Sequence, residues 1–181
     1  MAHGLDTLLE AAALLSDRED IVFLMAGDGA ERERLQAAIA SRGLANVKML
    51  GQLPKAEMPK LWSCSDVSLV LLRKQALFTT VIPSKIFESM AMKKPIVLGV
   101  EGEAARIITE GGSGICIEPE NAAQLAEAVR SLADDAEHYA ALADAGHEYV
   151  ATHFDRTNLA AEYESVLRQV SGLPVPERPN A

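Results

Sequence analysis

The 181-residue chain is poor in the residues that mark specialised scaffolds. Its two cysteines, Cys64 and Cys116, are too few for a disulfide framework and lack the paired spacing of a zinc site. Both stand in or beside apolar stretches and read as small, reduced core residues. Aromatic residues make up only 4% of the chain, and the four histidines, His3, His138, His147 and His153, show no ligand spacing beside acids or thiols. No cofactor and no metal held by protein side chains alone are therefore expected. No apolar run approaches the ~18 to 20 residues of a spanning helix, and the basic start and long apolar stretch of a secretory signal are missing. The chain reads as soluble and cytoplasmic. Positive charge is scarce, with 17 Lys and Arg against 26 Asp and Glu, a net charge of −9. That balance repels phosphate backbones and anionic membranes at long range, which argues against nucleic acid as a partner. A local anion site is compatible with it, because a few oriented N–H groups and one Lys can hold a phosphate.

What the chain does have is an alternation. Short apolar runs, IVFLMA from Ile21, VKML from Val47, VSLVLL from Val67, PIVLGV from Pro95 and GICI from Gly114, read as strands covered on both faces. Between them apolar residues recur three and four apart: Leu5, Leu8, Leu9, Ala12 and Leu15; then Leu35, Ala38 and Ile39; then Met58, Leu61 and Trp62; then Ile86, Phe87, Met90 and Ala91. Strands alternating with helices of this length predict an α/β fold, a doubly wound parallel sheet with right-handed crossovers. After Ile117 the pattern is helical, with Asn121 capping a helix to about Asp134, one or two helices over Ala136–His153, and Asp155 capping a helix over Arg156–Val170. One domain over residues 1–171 is expected, helical from about 121, followed by a flexible tail over 172–181 that carries three prolines. A doubly wound unit normally opens on its central strand, whereas MAHGLDTLLEAA already reads as the first helix, so a strand is expected upstream.

Three segments at strand ends carry candidate chemistry. Gly27-Asp28-Gly29 closes the first strand; it lets a ligand approach the backbone, although an ordinary strand-to-helix turn is the simpler account. Gly51-Gln52-Leu53-Pro54 closes the second and could present backbone groups to a nucleobase, or be a plain turn. The third, Arg73 to Pro83, is longer than the usual ~2 to 6 residues of such connections and leads into PSKIFESMA. Ser84 suits an N-cap, and Lys85 sits in the first helical turn, where the dipole disfavours a cation unless an anion faces it. Glu88, three residues on, shares that side, so a solvated Lys–Glu pair is the alternative. No nucleophile elbow and no activated cysteine is present.

The order HGLDTLLEAAALL, FLMAGDGAERERLQ, NVKMLGQLPKAEMPKLWSCSDV and PSKIFESMAMKKPIVLG resembles the C-terminal, donor-binding domain of retaining family-four glycosyltransferases, which have the GT-B fold. The resemblance runs from Ala2 to about Val170, and PSKIFESMA is closest to a bacterial surface-polysaccharide branch that includes fucosaminyl transferases. It implies a nucleotide-sugar donor, UDP- or GDP-linked with UDP expected first, at the carboxyl edge of the sheet, and the departures at Thr80 and His3 fit a branch whose donor is a deoxy or N-acetylated amino sugar. Glu88 matches the Glu that binds the ribose, a role that suits a carboxylate facing a cis-diol. The partner Glu of that motif falls on Thr80, leaving Thr80, Val81 and Ile82 to face the donor sugar. The family's phosphate-binding Lys falls on His3, so Lys85 and the Ser84 helix start are expected to supply phosphate contacts. Gly51, Gln52 and Leu53 match the base-binding loop, and Gly27 and Asp28 line the cleft. The acceptor, a lipid-linked glycan of lipopolysaccharide, O-antigen or capsule, would sit in an N-terminal domain that also provides any peripheral attachment to the inner membrane. The present chain by itself would bind donor without transferring it. Alternatives are a nucleotide-sugar epimerase on the same scaffold, or a non-catalytic sensor or scaffold module.

Overall fold

The computed structural model describes residues 3–174. Its elements run α1 (Leu5–Leu14), β1 (Phe23–Ala26), α2 (Arg32–Arg42), β2 (Val47–Gly51), α3 (Met58–Cys64), β3 (Ser68–Leu71), α4 (Lys85–Ala91), β4 (Ile96–Gly99), α5 (Glu103–Glu110), β5 (Gly114–Cys116), α6 (Ala122–Asp134), α7 (Ala136–His153) and α8 (Arg156–Val170). Every ladder is parallel: β1 pairs with β2, and β3, β4 and β5 form a second sheet in that order. This is the parallel α/β architecture that the alternating runs predict.

The sheets share one core. Phe23 and Val47 from the first and Leu71 and Val97 from the second lie in a single buried cluster with Leu8 and Leu9 of α1, Leu15 just after it, and Leu125 and Val129 of α6. Each fully buried leucine there contributes roughly 1.5 to 3 kcal/mol. On the other face Ile86 and Met90 of α4 pack with Leu98, Ile107, Ile108 and Val150. Thus α1 lies against α6 and α4 against α7, sandwiching the sheets between two helical layers.

The helix starts follow their side chains. Asn121 Oδ1 accepts from the Gln124 N–H at 3.0 Å, and Asp155 Oδ1 accepts from those of Thr157 and Asn158 at 2.9 and 3.1 Å. Asp135 caps α7 in the same way, so Ala136–His153 forms one helix. Each such cap is worth about 1 kcal/mol.

Several expectations need correction. Strands β1 and β2 alternate instead of being covered on both faces: Phe23 and Val47 are buried while Leu24 and Leu50 are exposed. Met58, Leu61 and Trp62 of α3 are only half-buried and α3 contributes no buried residue, so the second face of these strands stays open. Ala91 is exposed at the end of α4 and Phe87 half-buried. Neither cysteine is a core residue. Cys64 ends α3 at the surface; Cys116 ends β5, its sulfur 3.8 Å from both Thr109 Oγ1 and the Ala105 carbonyl, where local desolvation pushes its thiol up. The strand expected ahead of α1 concerns chain outside the described residues, within which β1 and β3 share no ladder. Residues 175–181 of the expected tail also lie outside them. No helix among the described residues is long and apolar enough to cross a membrane.

Candidate functional site

Parallel strands all end on one edge, and the loops that leave β1, β2 and β3 there carry the candidate residues. The Gly27 N–H donates to the Gly51 carbonyl at 2.7 Å, which ties the first two loops together. Gly51 has φ +70°, a left-handed backbone that a side chain would strain, and the Arg32 guanidinium lies beside it. Asp28 accepts from the Gly29 N–H at 2.8 Å and faces Arg32 at 3.6 Å. Gln52 is exposed and Leu53 half-buried, leading through Pro54 into a 3-10 turn over Lys55–Glu57.

The start of α1 reaches the end of β3. His3, exposed, forms an antiparallel bridge with Leu72, and the buried Gly4 donates its N–H to the Leu71 carbonyl at 3.3 Å. Asp6 in the first turn binds both amino groups of Arg34, at 2.6 and 3.2 Å, and this guanidinium holds its carboxyl below the usual carboxylate range. Arg34 also donates to Glu31 at 2.8 Å, while Arg73 stands 4.0 Å from the same Glu31 oxygen.

Beyond β3 the long connection is not irregular throughout, since Ala76–Thr80 forms a 3-10 helix. Both of its ends are fixed. Lys74 bonds Glu118 at 2.9 Å and its N–H reaches Glu120 at 3.0 Å, the Glu118 carboxylate holding the ammonium charged. At the far end the Thr79 carbonyl occupies the space where a side chain on Gly102 would project, and Gly102 has φ +81°. Thr80 Oγ1 donates to the Leu77 carbonyl at 3.2 Å, and Val81 and Ile82 are exposed.

Lys85 and Glu88 project from the exposed side of α4, opposite the buried Ile86 and Met90. No ion pair joins the two among the described residues, so the solvated-pair alternative is not what the structure adopts. Ser84 precedes the helix with a helical backbone and makes no side-chain cap, a departure from the expected N-cap that leaves its hydroxyl uncommitted within α4. Behind them the buried Ser89 hydroxyl donates to the Lys85 carbonyl at 2.7 Å and lies 2.8 Å from Ser68 Oγ, which pins α4 to β3. Among the described residues no hydrogen bond or ion pair links Lys85, Ser84 and Glu88 to the group around His3, Gly27 and Gly51; only the shared strand edge gathers them.

Sequence reasoning missed the arginines Arg32, Arg34 and Arg73, which converge on Asp6, Asp28 and Glu31. The available signal was their position, two to eight residues beyond a strand end. A hollow of about 450 Å³ lies elsewhere, at the amino ends of β1 and β2 beside Asn46 and Lys48. Among the described residues no group of three or more His, Cys, Asp or Glu could hold a metal ion.

A parallel doubly wound sheet with glycine turns and cations gathered on its carboxyl edge belongs to the Rossmann-like class of nucleotide-binding folds. The family is more specific: residues 2–149 match the model of the glycosyl transferases group 1, and the chain belongs to that family. It is 30% identical over 170 residues to the "Putative colanic acid biosynthesis glycosyl transferase WcaI" of Escherichia coli, covering 92% of this chain and 39% of that protein. It is 31% identical over 136 residues to the "Alpha-D-kanosaminyltransferase" of Streptomyces kanamyceticus, covering 74% of this chain and 34% of the relative. The chain thus spans well under half the length of these curated relatives. Among solved structures, a glycosyltransferase from Rickettsia africae superposes with a TM-score of 0.80 at 22% identity, covering 93% of this chain and 45% of that one. Anabaena Alr3699/HepE, solved with UDP, gives 0.76 at 22% identity, over 94% and 46%. The fold is that of the C-terminal Rossmann-like domain of GT-B glycosyltransferases.

Proposed function

We propose that this chain is the donor-binding half of a retaining glycosyltransferase that moves a sugar from a nucleotide, UDP before GDP, to a growing lipopolysaccharide, O-antigen or capsular glycan. The observation that carries this reading is the exposed Lys85 and Glu88 on α4, unpaired with each other on a helix pinned to the edge strand β3. In this reading the Glu88 carboxylate accepts two hydrogen bonds from the ribose diol. Lys85 faces the diphosphate. When the bond between the sugar C1 and the phosphate oxygen breaks, its electron pair leaves on the nucleoside diphosphate, and a cation already in place stabilises that charge. Thr80, Val81 and Ile82 border the sugar, and Gly51, Gln52 and Leu53 the base. The acceptor, a lipid-linked glycan, is assigned to a further N-terminal domain. Relatedness to a protein named for colanic acid biosynthesis and likeness to a neighbour solved with UDP support the choice of substrates.

The test is an amide NMR titration of the chain with UDP and with GDP. Shifts at Gly51, Lys85 and Glu88 with UDP are the expected result. Absence of shifts with either nucleotide would remove the donor-site assignment.

A further inference from the structure

We propose that Arg73 holds the diphosphate of the donor, at the point where the order of the strands reverses; this rests on the nucleotide-sugar reading above. Strands β1 and β2 extend the fold to one side and β3, β4 and β5 to the other, with the crossover through α3 between them. In an open parallel sheet ligands bind outside the carboxyl ends at that reversal. Three contacts bring the flanking segments together at this crevice: the His3–Leu72 bridge, the Asp6–Arg34 pair and the approach of Arg73 to Glu31. Arg73 is the second residue past β3 and half-buried, and its approach to Glu31 turns it toward the loop that leaves β1.

Distances decide which cation is available. Arg34 is committed, at 2.6 Å to Asp6 and 2.8 Å to Glu31. Lys74 is committed to Glu118 at 2.9 Å. The Arg73 contact to Glu31 is 4.0 Å, to an oxygen that Arg34 already occupies, so Arg73 gives up little by turning to another anion. Asp6, Asp28 and Glu31 stand against Arg32, Arg34 and Arg73, three carboxylates and three guanidiniums, and the Arg73 contact is the longest of them, so Arg73 is the guanidinium most readily turned to the phosphates beside Lys85. A planar guanidinium binds two phosphate oxygens at once, a geometry that an ammonium lacks.

Isothermal titrations with UDP, uridine and inorganic pyrophosphate test this on the whole chain. Arg73→Ala should weaken UDP and pyrophosphate about tenfold or more, the loss of one charge-assisted hydrogen-bonding group, and leave uridine unchanged. Arg73→Gln, which keeps the side-chain stem, should give the same pattern and serves if the alanine variant folds poorly. Lys48→Ala, an exposed cation near the amino end of β2, should leave all three ligands as in the parent. Arg73 variants that bind UDP as the parent does, or that lose uridine to the same extent, overturn the proposal. Pyrophosphate binding that depends on Arg73, without binding of UDP or GDP, would uphold the anion site and refute the nucleotide-sugar reading. If the parent chain binds none of these ligands, both fall.

Discussion

Individual side chains show how little of the surface charge is free for a ligand. Most charged residues near the edge are paired, Arg34 with Asp6 and Lys74 with Glu118, whereas Glu88 and Lys85 are not paired with each other. Glu88→Ala should weaken UDP about tenfold, the cost of losing hydrogen bonds to a charged group, and leave binding of pyrophosphate unchanged, as calorimetry would show. Equal loss of both ligands would mean that Glu88 supports the fold rather than the ribose. The Arg18 side chain bonds Asp20 and Asp134, both at 2.8 Å, and its guanidinium holds the Asp20 carboxyl down at about 2. A folded-state pKa below the unfolded one means stability that is present above about pH 4 and lost as pH falls from there toward 2. The Asp20 carboxyl is exposed, so the slope is shallow. Thermal melts should show Arg18→Gln flattening this acid limb; an unchanged limb would assign it to other carboxylates. Glu88 and Lys85 could be singled out as candidates in the sequence because their motif is local. Arg73 was not, because its neighbours come from three separate stretches of chain.

Elements decide where those residues stand. The 3-10 helix over Ala76–Thr80 is held between the Lys74 pairs and Gly102, and Gly102→Ala would drive a methyl group into the Thr79 carbonyl. That substitution combines a close contact with a positive φ, so it should move Thr80, Val81 and Ile82 together. NMR of Gly102→Ala is expected to show shifts across residues 76–83 and weaker binding of UDP-sugar than of UDP. Shifts confined to α5 would show that the loop does not depend on this seat. Strand and helix existence was readable from apolar spacing, and the Asn121 and Asp155 caps from single residues. The exposed faces of β1 and β2 were not readable, because coverage depends on whether α3 packs over them, and α3 buries no residue. The cysteines were misplaced for a related reason: an apolar flank does not fix which way an end residue of a strand or helix points.

At the scale of the molecule, a single core spans two sheets that share no ladder among the described residues, where side chains and the start of α1 join the carboxyl edges of β1 and β3. A ligand bridging the two edges should therefore stabilise the whole. UDP at a hundred times its dissociation constant should add about 2.7 kcal/mol to unfolding in urea, and no effect would mean that it does not bind the native state. Given a radiolabelled UDP-sugar and a lipid-linked glycan, the chain alone should form no product, since its acceptor side is assigned elsewhere. Product formation would overturn that division of labour. The sequence by itself determined the strand and helix order, the parallel sheet and the family, because periodicity, caps and contiguous motifs are properties of short stretches of chain. Only the tertiary structure decided which cations are committed and which are free. Ion pairs such as Arg34 with Asp6 or Lys74 with Glu118 join residues 28 and 44 positions apart, and no local pattern specifies them.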